Sequence, residues 1–165
     1  MHMPRIPAPA GRVPATLAAA TAIILASVLA AGDRAAATAG APVPAAAIAR
    51  LTAMARHAAA INGDPAPAWI TAVLTTRAKA LTSATPGDYI PGSGRVTVFL
   101  ITMCGHFTAT GAPRPPGAKA PSGRYLSLVI DATTFQGLDF GIGPKPPPVP
   151  PATLGPVTHL TSRGH

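Results

Sequence analysis

The sequence contains no glutamate, one cysteine and few rings: aromatic residues make up 4% of it and charged residues 11%. Each scarcity excludes something. A single thiol, Cys104, cannot form an internal disulfide framework or a cysteine-based zinc cluster. Five scattered aspartates are a poor source of the converging oxygens that calcium or magnesium needs. Without glutamate there is no Glu/Lys heptad to support a coiled coil. No densely basic window or alternation of aromatic with basic residues offers a platform for stacking bases, so no nucleic-acid partner is expected.

What the chain has instead is alanine, proline (21 residues) and glycine (16) over 165 positions, and thirteen Lys/Arg that leave a net charge of +8. The basic residues past position 40 are dispersed, which suits solubility and a mild attraction to an acidic surface.

The first twelve residues carry Arg5 and Arg12 and no acid, and residues 13–32 are uncharged, densest in IILASVL at 23–29. A basic start, an apolar stretch and small residues after it are the elements of a secretory signal. Twenty uncharged residues also suffice to span a hydrocarbon core of about 30 Å as a helix. Residues 1–32 are therefore expected to be a cleaved signal peptide or an N-terminal membrane anchor. The Arg excess before the run places the remainder outside the cytoplasm. The expected location is the cell membrane, single-pass with the C-terminal domain outside, or the secreted fraction. Residues 33–45, rich in alanine and proline, read as a linker to a small domain over 46–143. Residues 144–165 form a Pro-rich C-terminal segment whose PKPPPVPP run, at 144–151, is extended chain, read as a strut rather than a Pro-x-x-Pro ligand.

Within the domain, Ile48, Leu51, Met54, Ala55, Ala58 and Ile61 fall at helical spacing, and Asn62-Gly63-Asp64-Pro65 is a helix stop. Residues 69–76 (WITAVLTT) are β-branched and predict a strand, after which 77–81 either extend it or open a short helix. Residues 95–104 are apolar on both faces, as in a central strand, and Gly105 is expected to break it. Residues 125–131 and 138–142 alternate and form a hairpin, with Leu126, Leu128, Ile130, Leu138, Phe140 and Ile142 inward. The fold class is α+β: one N-terminal amphipathic helix packed on a roughly four-stranded antiparallel sheet, preceded by the apolar export segment.

The helix end Asn62-Gly63-Asp64, the strand from Trp69 to Thr75-Thr76-Arg77, Gly105-His106-Phe107, the Pro-Pro-Gly-Ala-Lys run at 115–119 and the hairpin Val129-Ile130-Asp131-Ala132-Thr133-Thr134-Phe135 carry a resemblance. They resemble uncharacterised exported proteins of high-G+C Gram-positive bacteria over about residues 46–160. That resemblance implies no established activity and assigns no residue a role. In outline the helix and meander are also similar to PepSY-like and cystatin-like domains, although Phe135-Gln136 precede Gly137 where a PepSY turn has Thr-Gly.

Two pairs are candidates for chemistry. Cys104 and His106, two apart on a strand, would share a face and pair a nucleophile with a base or supply half a metal site. The bland alternative is a buried thiol beside a histidine at a loop edge. Asp131 and Asp139 flank the hairpin connection on its outward face, as a general acid and base would. The bland alternative makes Asp131 a turn cap and leaves Asp139 to meet Arg124 or Arg95. Residues 108–123 form a long loop in which Arg114 and Lys119, among prolines, make a cationic arm for a partner.

Taken together, these readings describe an exported or membrane-anchored, non-enzymatic binding domain that needs no cofactor. It meets the membrane through residues 1–32 and an extracytoplasmic protein or cell-envelope component through its loop. A small hydrolase or thiol enzyme, and a basic binder of a membrane surface or acidic polymer, are the alternatives.

Overall fold

The computed structural model describes residues 38–84, 94–111 and 115–162. Residues 1–37, which include the apolar run at 13–32 and the first part of the linker, and Arg114 lie outside the described residues. The element order is α1 (Ala45–Ile61), β1 (Trp69–Thr76), α2 (Arg77–Ala84), β2 (Thr97–Thr108), β3 (Ser122–Asp131), β4 (Gly137–Gly143), a 3-10 turn at Pro151–Thr153 and β5 (Thr158–Ser162).

The fold is α+β on one antiparallel sheet in the order β4-β3-β2-β1-β5. Two counts from the sequence are corrected: among the described residues the sheet has five strands where roughly four were expected, and there are two α-helices where one was expected. The fifth strand lies inside the Pro-rich segment. Its short run, Thr158–Ser162, carries no alternation strong enough to announce it, and pairing with β1 fixes it. The second helix, RAKALTSA, is short and starts as β1 ends. The Arg77 amide donates to Val96 O at 2.9 Å and the Ala78 amide to Gly94 O at 3.0 Å, which anchors the turn.

Helix α1 stops where the sequence says it should. Gly63, at φ +90°, takes the left-handed position, the Gly63 amide donates to Ala60 O, and the Asp64 amide donates back to Ala59 O. The buried side of α1 is Ala47, Leu51, Ala55 and Ala59. Three of those four are alanines, so the helix lies close on the sheet but covers a narrow strip of it. Ile61, expected on the stripe, is 62% exposed.

Alternation on the strands divides the core. Ile70, Ala72, Leu74, Phe99, Ile101, Met103, Leu126 and Ile130 lie under α1. Val73, Val98, Leu100 and Val129, with Ala80 and Leu81 of α2, make a smaller cluster on the other face, joined by Leu154 and Val157. Each fully buried Leu or Phe stabilises the fold by about 2 kcal/mol, so the α1 face, which holds Leu51, Leu74, Phe99, Phe107 and Leu126, dominates.

One side chain changes face. The register of β3 and β4 shifts between Val129 and Ile130, and Leu138 packs with the α2-side cluster instead of beside Phe140. A bulge adds a residue to one strand and reverses the alternation beyond it.

Candidate functional site

Among the described residues, no hydrogen bond joins the members of either pair singled out in the sequence. Strand β2 does not break at Gly105; it runs on to Thr108 through a register shift between Cys104 and Phe107. The loop between α1 and β1 holds this bulge. Asp64 accepts the His106 amide at 2.8 Å and the Ala66 amide at 3.1 Å, and the Thr108 amide donates to Asn62 O at 2.8 Å. A methyl group on Gly105 would run into the Asp64 carboxylate, which explains glycine at that position. Beyond the bulge simple alternation is lost: Cys104 is buried, His106 is exposed, and among the described residues no hydrogen bond joins them.

Cys104 stands between Trp69 on β1 and Tyr125 on β3, directly opposite each. The two rings approach to 6.3 Å between centroids, tilted by 55°, and flank the thiol. Trp69 itself is only partly buried.

Asp131 caps its own turn. Its Oδ1 accepts the Thr134 amide at 2.7 Å, the Thr133 amide at 2.9 Å and the Thr134 hydroxyl at 3.0 Å. The Thr134 amide does most to hold the Asp131 carboxyl below the usual carboxylate range; the other two donors help, against a desolvation that opposes them. Asp139 meets neither Arg124 nor Arg95. It binds Arg77 at the start of α2, through Nε at 3.0 Å and Nη2 at 3.2 Å. That hydrogen bond, with the attraction between the charges, raises the Arg77 guanidinium further above its ordinary range despite partial desolvation. Each carboxylate therefore has its own donors, and nothing makes them share a proton. Sequence spacing could not have found Arg77, which lies 62 positions from Asp139.

The long connection is thirteen residues, 109–121, because β3 begins at Ser122. Its ends are tied by the Ala109 amide donating to Pro121 O at 2.8 Å, and Lys119 on it is exposed. Arg114, the other candidate, lies outside the described residues.

The structure brings forward a different surface. Between α1 and the outer part of the β3–β4 hairpin lies an open groove of about 430 Å³, lined by Met54, His57 and Ala58 on the helix and by Leu128, Ile130 and Phe140 on the sheet. Phe140 is 47% exposed, one of two large apolar side chains left open to solvent among the described residues. The groove exists because α1 is a narrow, alanine-lined rod that leaves the sheet's outer strand uncovered. On the same helix Arg50 lies 4.2 Å over the Phe135 ring, which packs 5.6 Å from Phe99. The sequence signal was present but faint: Arg50, Met54, His57 and Ile61 follow one another at helical spacing along one side of α1.

Among the described residues no group of three His, Cys, Asp or Glu could hold a metal ion, and no helix is long and apolar enough to cross a membrane. The fold and groove define a small α+β domain with one apolar cleft beside a sheet edge. No family model matches the chain, no curated protein matches it, and no solved structure matches it.

Proposed function

We propose that this protein is a non-enzymatic binding domain, exported or held at the membrane by residues 1–32, which works by contact with an extracytoplasmic protein or cell-envelope component. The observation that carries this reading is the groove beside Phe140, an apolar ring left about half open next to the buried core. Two further facts support it. Cys104 is buried between Trp69 and Tyr125 on the neighbouring strands, and each candidate aspartate is already committed to a structural partner. The basic N-terminal flank and the apolar run after it support export.

The test is in-cell photocrosslinking with a benzophenone amino acid at position 140 of the full chain. A discrete adduct in the envelope fraction, absent when the probe stands at exposed Lys119, is the expected result. No adduct at 140, together with substrate turnover that disappears in Cys104→Ala or Asp131→Asn, would replace this reading with the enzymatic one.

A further inference from the structure

We propose that the open edge of β4 and the groove beside it bind an extended peptide whose apolar middle is bounded by carboxylates, added to the sheet as a further strand. This rests on the binding-domain reading and names the partner's chemistry.

The backbone argument comes first. β4 is an end strand of the sheet, and residues 139–143 run in unbroken register with 125–129. Alternate residues of an antiparallel end strand turn their N–H and C=O away from the neighbour. Among the described residues, no backbone hydrogen bond outside the sheet reaches β4. The usual protections are thin. β4 (GLDFGIG) contains no Lys and no Pro, its only charge is bound to Arg77, and its bulge lies at the Leu138 end. Its three glycines leave room for close approach of another backbone.

Side chains set the specificity. A peptide paired with β4 directs every second side chain towards the α1 face, where Met54, Leu128 and Phe140 form an apolar bed. The seven residues of β4 measure about 24 Å, which takes a peptide of similar length.

Charge decides between occupants. α1 carries Arg50 and Arg56 and no acid. Arg50 sits over Phe135, two residues before β4, and Lys145 is exposed two residues after it, so each end of the edge carries a cationic side chain, with Asp131 in the turn at the Phe135 end. Of the three described aspartates, Asp139 is paired with Arg77, while Asp64 and Asp131 are held by amide and hydroxyl donors within the fold. A second copy of a +8 chain therefore brings like charge to this edge, whereas a carboxylate-bounded peptide brings the missing counter-charge.

The experiment titrates the full chain, in detergent micelles, with a capped seven-residue peptide alternating valine and threonine between terminal aspartates. Binding is read by amide hydrogen exchange and anisotropy. The expected result is slowed exchange confined to β4, saturable binding that weakens with salt, and affinity about tenfold lower for the same peptide with terminal lysines. Methylating alternate peptide nitrogens on the pairing edge, or Phe140→Asp in the protein, should abolish binding. The proposal is overturned by unchanged exchange at β4, by equal binding of the lysine-ended or methylated peptide, by anionic vesicles displacing the peptide, or by self-association of the chain through β4 without peptide. If the position-140 adduct forms while all peptides fail, the binding-domain reading stands and this inference falls. If neither appears, both fall.

Discussion

Arg77 and Asp139 are joined by two hydrogen bonds, Nε to Oδ2 at 3.0 Å and Nη2 to Oδ1 at 3.2 Å, and this fork ties the first turn of α2 to the outermost strand of the hairpin. It is the only contact of its kind that fixes β4 from the α2 side among the described ion pairs. Both side chains keep some solvent access, 19% and 27%, which limits what the pair contributes. Asp139→Asn should lower stability by about 1 kcal/mol. Salt should reduce the difference between the two proteins in a urea melt. A loss of several kcal/mol would mean that the pair orders the whole hairpin.

Asp131 makes stability depend on acidity. Its carboxyl is held below the ordinary range in the folded chain, so its contribution is complete above the unfolded value of about 4 and is lost as pH falls through the lower folded value. Asp131→Ala should cost about 1 kcal/mol at pH 7, as for a lost cap. The gap between the two proteins should narrow in thermal melts taken between pH 4 and pH 2. A gap that stays constant with pH would show that the turn is held by something other than the ionised carboxylate.

Gly105→Ala should be among the more damaging small substitutions. The new methyl displaces the Asp64 carboxylate and with it the bond to the His106 amide. The expected cost is about 1–3 kcal/mol. Amide exchange at His106 and Ala66 should accelerate more than exchange in β3.

The Cys104 thiol should be inert in the folded protein. Buried beneath Trp69 and Tyr125, it must wait for opening before a disulfide reagent reaches it. Native protein should react at least about a hundredfold more slowly than protein in urea. Equal rates would place the thiol in an accessible, reactive setting and revive the enzymatic alternative.

Most of the scaffold was legible because its signals are local. The Asn62-Gly63 stop, the β-branched run from Trp69 and the alternation of β3 depend on near neighbours and appear where expected. What was missed depends on distant partners. β5 is a strand because β1 has an open side, and Leu138 changes face because β4 gains a residue against β3. The end of β2 was misjudged at Gly105 because the residue that accommodates the glycine, Asp64, is 42 positions from His106. The same reasoning explains the candidate sites. Spacing put Asp131 beside its turn donors correctly, but it could not see Arg77. The groove escaped because it is defined by what a narrow helix fails to cover, and a missing contact leaves no trace in a periodicity.

The position of β5 has a consequence for assembly. β1 is flanked on one side by β2 and on the other by residues 158–162, so both neighbours of an early strand are made after it, the second of them nearly ninety residues later. A chain emerging vectorially, amino end first, must carry β1 with one rail vacant until that late segment arrives. Fusions placed close behind residue 162 should therefore disturb the maturation of the sheet more than fusions placed before residue 38.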